Sequence, residues 1–154
     1  MALVIRRAGS GDLRALSDLC LRSKAAWGYD DAFMQGCVAE LTVTRADLRG
    51  ADVVMLEKAG RAVAMAQVGA GPTPDEAELD RLFVAPEAMR QGFGRALMVW
   101  ARAAARARGA SRLRIDSDPN AEAFYLSEGA QRVGLSPSGS IPGRNLPQLV
   151  INLA

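Results

Sequence analysis

Apolar positions along the chain follow two rhythms, one of two residues and one of three to four, and their succession outlines the fold. Leu3 to Arg7, "LVIRR", is short, β-branched and alternating, which predicts a strand. After the "GSGD" turn, Asp12 stands where a helix cap belongs, and Leu13, Leu16, Leu19 and Cys20 recur at helical spacing through about Lys24. "AAWGYDD" interrupts the pattern. A second helix is predicted from about Asp31 to Leu41, carrying Phe33, Met34, Cys37 and Val38. Val53 to Leu56 and then Val63, Met65 and Val68 predict a hairpin turning at Ala59-Gly60. "AELDRLFV" alternates again and ends at Ala85-Pro86.

Arg95 to Arg108 is a run of Ala, Leu and Arg, all strong helix formers, with Leu97, Trp100, Ala101 and Ala104 on one face and Gly109 as its stop. Arg102, Arg106 and Arg108 are read as its solvated face. "RLRID" is a short strand. "DPNAEAFYLSEG" is a helix with Asp118 as N-cap, Pro119 at the first helical position and Gly129 beyond the end. "AQRVGLS" and "LPQLVINL" read as two last strands. Early hairpins followed by strand-helix alternation predict an α/β (α+β) fold in one domain spanning residues 1–154: a single mixed, mostly antiparallel sheet of about seven strands with about four helices.

Composition narrows the chemistry. The chain is 49% hydrophobic, and 19 Lys and Arg nearly balance 17 Asp and Glu for a net charge of +2, so neither a nucleic-acid footprint nor a membrane-surface binder is indicated. Cys20 and Cys37 are the only cysteines and histidine is absent, which leaves no disulfide framework and no zinc-type ligand set. Both thiols are expected buried and free, and no metal is expected. The first residues are too poor in apolar side chains for a signal peptide and no stretch reaches a transmembrane length, so a cytoplasmic location is expected. Without histidine, any acid or base near neutral pH must be a carboxylate, Tyr, Cys, Lys, a terminal amine or a water held by one of these.

One loop asks for an anion. "MRQGFGRA", residues 89–96, places Gly92 and Gly94 just before the long helix. A Walker A loop needs Lys and then Ser or Thr after its last glycine, where this chain has Arg95-Ala96. A dinucleotide fingerprint needs a third glycine, and Leu97 stands there. What remains is a loop whose successive backbone N–H groups, continued by a helix N-terminus, surround a pyrophosphate.

From "ELDRLFVAPEAMRQGFGRAL" to "DPNAEAFYLSEGAQRVG" the chain resembles the GNAT acetyltransferase superfamily over about Glu78 to Gly134. The resemblance rests on a strand ending in an aliphatic-aromatic-Val-x-Pro pattern, the loop, a long helix, a strand, and then an asparagine followed by Tyr-x-x-x-Gly in "NAEAFYLSEG". It implies acetyl-coenzyme A as co-substrate. Met89, Arg90, Gln91, Gly92, Phe93, Gly94 and Arg95 would then surround the pyrophosphate, Leu82, Phe83 and Val84 would offer strand backbone to the pantetheine arm, and Asn120 and Tyr125 would contact the cofactor. Met89 departs from the Gln or Arg that opens the family's loop, which leaves the backbone donors intact. Arg90 and Arg95 flank the loop and could each add a charge-assisted contact.

The resemblance also implies Tyr125 as the group that protonates the thiolate. A phenol of ordinary pKa near 10 is protonated at neutral pH, as this requires. Glu78 and Asp80, two residues apart on a strand and thus facing one way with Leu82 and Val84, are the candidate bases; Glu76 extends the acidic row. A cation-attracting row without proton transfer is the other reading. "SKAAWGYDDAFM" and "SPSGSIPGRNLP" fall where the family's layout implies the acceptor site. Trp27 and Tyr29 suit an apolar wall, Asp30 or Asp31 could hold an ammonium, and Arg144 could hold a carboxylate. The expected function is acetyl transfer to a primary amine of a small or amino-acid-like acceptor. A protein amino group, a non-catalytic acyl-coenzyme A sensor and an unrelated nucleotide-binding domain remain as alternatives, and the subunit arrangement, homodimer included, stays open.

Overall fold

The computed structural model describes residues 3–154, and its strands lie where the alternating segments are. They are β1 (Leu3–Arg7), β2 (Asp52–Lys58), β3 (Arg61–Ala70), β4 (Glu76–Val84), β5 (Arg112–Asp116), β6 (Gln131–Pro137) and β7 (Asn145–Asn152). The helices are α1 (Leu13–Ala25), α2 (Asp31–Leu41), α3 (Arg45–Gly50), α4 (Phe93–Ala107) and α5 (Glu122–Ser127). All seven strands join one sheet in the order β1-β2-β3-β4-β5-β7-β6. Every neighbouring pair is antiparallel except β4 with β5. The expected mixed, mostly antiparallel sheet is therefore present.

α3 is additional to the expected helices. Its signal is a capping box: the Asp47 N–H donates to Thr44 Oγ1 and the Thr44 N–H donates to Asp47 Oδ2. Asp in place of the usual Glu or Gln, and only six residues behind it, make that signal easy to miss. The helix that carries Tyr125 is also shorter than "DPNAEAFYLSEG" suggests, because Pro119–Ala121 forms a 3-10 turn before α5 begins.

Apolar spacing decides which face each helix buries. Leu16, Leu19 and Cys20 of α1 share a core with Cys37 and Leu41 of α2 and with Val53 to Leu56 of β2. Met98, Ala101 and Ala105 of α4 join Val68, Leu79, Leu113, Leu149 and Tyr125 in a second core. Small alanines along α4 let the helix lie close to the sheet, and losing a fully buried side chain such as Leu97 or Met98 would cost about 2–5 kcal/mol. Arg102 is not part of a solvated face: it donates to the Glu128 carbonyl and pairs with the Glu128 carboxylate at 3.6 Å, tying α4 to the end of α5. Arg108 bonds Asp52 at 3.1 Å and links the other end of α4 to β2.

β4 is irregular in two places. Its parallel ladder with β5 extends only over Glu76–Arg112, Ala77–Leu113 and Glu78–Arg114, although both strands continue. Beyond Glu78 the two strands part. In the ladder with β3, Leu79 pairs with Val68 and Arg81 with Gln67, so Asp80 is the extra residue of a β-bulge.

Candidate active site

A cleft of about 460 Å³ opens where β4 and β5 separate, beyond the carboxyl ends of the one parallel pair in the sheet. This is where ligands sit in open sheets, because strand ends leave backbone groups without partners there. Leu79 to Val84 line one wall, and Ile115 to Asp118 with Asn120, Phe124 and Tyr125 line the other. Since β4 beyond Glu78 is paired on its β3 side only, its opposite edge from Leu79 to Val84 presents unpaired N–H and C=O groups to the cleft.

The glycine loop closes one end, with Met89, Arg90, Gly92, Phe93, Gly94 and Arg95 in the lining. Arg90 has φ of 62° and Gly92 φ of 84°, so two left-handed residues stand one apart. Alternation of this kind turns consecutive N–H groups toward one point. The first hydrogen bond of α4 runs from the Ala96 N–H to the Gly92 carbonyl at 3.1 Å, which leaves the N–H groups of Phe93, Gly94 and Arg95 free at the helix end. A Cβ placed on Gly92 would meet nothing within 4 Å, so the space beside this residue, which lines the cleft, is open. Arg95 holds its side chain in solvent at 81% exposure, and Gln91 points away to Lys58 at 3.2 Å. The donor set suits a pyrophosphate, and the free edge of β4 suits an amide-containing arm.

Tyr125 is buried on α5 and reaches the cleft. Burial, followed by the nearby Asp118 charge, pushes its phenol well above the usual tyrosine range, so it remains a proton donor at any physiological pH. Phe124 packs edge-on to Tyr125, with ring centroids 5.2 Å apart. A Cβ on Gly94 would come within 3.2 Å of Phe124. Gly94 thus lets the start of α4 seat against the helix that carries Tyr125.

The bulge corrects one expectation about the carboxylates. Along β3, Gly69, Gln67 and Met65 share a face, and their partners are Glu78, Arg81 and Phe83; Val68, Ala66 and Ala64 oppose Leu79, Leu82 and Val84. Leu82 and Val84 therefore face away from Glu78, because one extra residue inverts the alternation. Asp80 stays on the Glu78 side, its Oδ2 2.7 Å from where a Cβ of Gly69 would lie.

The two candidate bases also part company. Asp80 lines the cleft; Glu78 lies outside it and pairs with Arg114 across the sheet at 3.5 Å. Burial, reinforced by Asp116, Asp80 and Glu76 and opposed by Arg114, pushes Glu78 up to about 7. Burial is also the main cause that pushes Asp80 up to about 6, with Arg81 opposing it. Asp80 is nevertheless open to solvent on its cleft side, which limits the energy tied to its shift.

At the other end of the cleft Asp118 gathers partners from four segments. It accepts from Lys24 Nζ at 3.1 Å, from the Tyr29 hydroxyl at 2.9 and 3.0 Å, from the Asn120 N–H at 2.8 Å and from Arg144 at 3.5 Å. Arg144 and the Asn120 amide also donate to the Tyr29 oxygen, at 2.7 and 3.0 Å. Beneath them the Tyr29 and Phe33 rings stack at 4.0 Å, with the Arg144 guanidinium 4.8 Å from the Phe33 centroid.

Of the residues expected to meet the acceptor, Trp27 lines the cleft, 44% exposed. Tyr29 and Arg144 stand behind the lining, joined to it through Asp118. Asp30 caps α2 by accepting from the Phe33 N–H at 2.8 Å, and Asp31 is an exposed first-turn residue of that helix. Lys24 and Asp118 as an ion pair were not foreseen. A lysine at the end of a helix and an N-cap aspartate carry no pairing signal across 94 residues of chain.

Cys20 and Cys37 are both buried and free, and burial pushes the Cys20 thiol up to about 12, which removes it as a nucleophile. Among the described residues no helix is long and apolar enough to cross a membrane, and no group of His, Cys, Asp and Glu is arranged to hold a metal ion.

Known structures share this architecture across nearly the whole chain. A GCN5-related N-acetyltransferase from Rhodopseudomonas palustris matches with a TM-score of 0.80 at 20% identity, covering 99% of this chain and 96% of that one. The paia N-acetyltransferase of Thermoplasma acidophilum, solved with coenzyme A, matches at 0.75 and 17% identity over 99% of each chain. The ribosomal-protein-S18-alanine N-acetyltransferase of Escherichia coli matches at 0.69 and 22% identity, covering 99% of this chain and 95% of that one. No curated protein matches by sequence. The model of the acetyltransferase (GNAT) family matches residues 21–129, which contain the parted strands, the loop and Tyr125, and the chain belongs to that family.

Proposed function

We propose that this protein transfers an acetyl group from acetyl-coenzyme A to the primary amine of a small acceptor. The observation that carries the reading is the cleft, in which the free edge of β4, the open helix end at Phe93 to Arg95 and the Tyr125 phenol face one space. Acetyl-coenzyme A would supply the activated acyl group. The loop N–H groups would hold its pyrophosphate, and the β4 edge would orient its pantetheine amides toward Tyr125. A solved family neighbour that binds coenzyme A supports this use of the fold.

Attack on a thioester needs an uncharged amine, so one proton must leave an ammonium and another must reach the departing thiolate. Of the two candidate bases Asp80 is the one that lines the cleft, and a group raised to about 6 is ionised at neutral pH while remaining basic enough to accept a proton through water. Glu78 is the second candidate, one position outside the lining. Tyr125 is the proton donor at the departing sulfur: its raised pKa keeps the phenol protonated at neutral pH, so it can hydrogen-bond the sulfur as negative charge develops there. Phe124, Leu82 and Phe83 bound the cleft with apolar surface that limits competing water.

The acceptor class is not given by the fold, since one neighbour is named for a protein alanine substrate. A small acceptor is favoured because Lys24, Trp27 and the Asp118 cluster wall the acceptor end of the cleft. The test is release of coenzyme A thiol from acetyl-coenzyme A against a panel of primary amines, with the N-acetylated product identified by mass spectrometry. Tight acetyl-coenzyme A binding without amine-dependent release would instead mark a sensor. Stronger thermal stabilisation by ATP or NAD than by acetyl-coenzyme A would mark a nucleotide-binding domain.

A further inference from the structure

The acceptor end of the cleft has an uneven charge balance. Lys24 and Arg144 both face Asp118, two cations to one carboxylate, with side chains only 14% and 18% exposed. Asp118 is already served without Lys24, by the Tyr29 hydroxyl, the Asn120 N–H and Arg144. Lys24 Nζ has three N–H donors, and Asp118 takes one of them. Its remaining surroundings are aromatic, with the Tyr29 and Phe33 centroids at 5.6 and 6.0 Å. Unlike Arg144 and Tyr29, Lys24 lines the cleft.

Other walls of the same cleft carry the opposite sign. Asp80 of β4, Asp116 of β5 and Glu40 of α2 line it; among the other lining cations Arg81 is engaged with Asp47 at 3.2 Å, with Gln67 and with the Glu40 carbonyl, and Arg90 and Arg95 belong to the glycine-loop end. The cavity thus offers a partly desolvated ammonium with free donors on one side and unpaired carboxylates elsewhere. A bare cation or a bare anion would satisfy only half of this arrangement.

We propose that the acceptor is an amino acid or a similarly compact amine bearing a carboxylate, and that Lys24 binds that carboxylate while Arg144 holds Asp118 behind it. This rests on the acetyl-transfer reading and adds the substrate class. Charge-assisted hydrogen bonds are the strong ones, and an ammonium with little exposure exerts them under weak screening. Diamines would set a second ammonium against Lys24. Peptide N-termini would bring an uncharged amide to the same place, leaving the Lys24 donors that Asp118 does not take without a charged partner.

The experiment compares thiol release with the coded amino acids, with their primary carboxamides and with alkyl diamines, all against acetyl-coenzyme A and the whole chain. The preferred amino acid is expected to exceed its own carboxamide at least tenfold in kcat/KM. Lys24→Met should bring that ratio close to one by raising KM for the acid, and Lys24→Arg should keep most of the preference. Carboxamides or diamines used as well as the acids by the unaltered protein would overturn the proposal without any variant. So would a ratio that Lys24→Met, shown folded by its circular dichroism, does not change. Absence of release with every amine would sink the acetyl-transfer reading itself, a different failure from release that ignores the carboxylate.

Discussion

Replacing Asp118 tests the site and the fold together. Its carboxylate joins α1, the loop before α2, the turn before α5 and the loop before β7, and its side chain is 12% exposed. Removing one member of such a buried pair leaves the others uncompensated, which typically costs about 3–5 kcal/mol. Partial exposure of the cluster favours the low end, so Asp118→Ala is expected to cost about 3 kcal/mol. Asp118→Asn retains an acceptor for the Asn120 N–H but strands two cations, for about 2 kcal/mol. For a domain of this size each kcal/mol lowers Tm by about 2–4 °C, so the alanine variant should melt roughly 6–12 °C lower.

The sign of the pH dependence is fixed. Desolvation alone would raise the Asp118 carboxyl, but the Asn120 N–H, Lys24 and Tyr29 outweigh it and hold the group below the usual 3.8. The folded state therefore favours the ionised form. That stabilisation is fully present above the unfolded pKa and is lost as pH falls through the folded value. Denaturant unfolding at neutral pH and near pH 3 should show the gap between the parent protein and Asp118→Asn closing in acid. A neutral-pH difference under about 0.5 kcal/mol, the size of an ordinary surface substitution, would refute the ion-pair account. So would a gap that widens in acid.

Tyr125→Phe should lower kcat by about a hundredfold or more while leaving affinity for acetyl-coenzyme A nearly intact, measured by steady-state kinetics and cofactor titration. Unchanged turnover would remove the phenol from the mechanism. With Asp80 as base, kcat/KM should rise with pH through about 6, and Asp80→Asn should abolish that limb; a limb near 7 lost in Glu78→Gln would assign the role to Glu78. Gly92→Val should weaken acetyl-coenzyme A binding at least tenfold, because a β-branched residue is strained at φ of 84° in the loop that carries the donors and adds bulk to the cleft lining. Gly94→Val should act on kcat as well, since its side chain would push Phe124 and thereby Tyr125.

Much of this was legible in the sequence because it depends on local rules. Period and turn residues located all seven strands, and two missing residues, the Walker lysine and the third glycine, eliminated the alternative loops. Interactions that close across the chain were not legible. Lys24 with Asp118 and Tyr29 with Arg144 each join residues about a hundred positions apart, and single side chains of ordinary type carry no mark of a distant partner. Asn120 illustrates the limit: its place at the start of the helical segment was right, yet its amide nitrogen is bonded to Tyr29 and Asp118, inside the cluster.

The bulge at Asp80 shows how one such unmarked feature changes the chemistry. Strict alternation would set Glu78, Asp80, Leu82 and Val84 on one face and give both carboxylates the same surroundings. Arg81 prevents this. Its guanidinium bonds Gln67 at 2.6 Å, Asp47 and the carbonyls of Glu40 and Thr42, so it must share the face of Gln67. Glu78 pairs with Gly69 on that face too, and an even spacing from Glu78 to Arg81 is possible only if one residue is inserted. Asp80 is that residue, and it falls just past the last β4–β5 pair, where the strands part. The same insertion therefore sends Leu82 and Val84 to the face opposite Glu78, while Asp80, still on the Glu78 side, lines the cleft and Glu78 remains against Arg114.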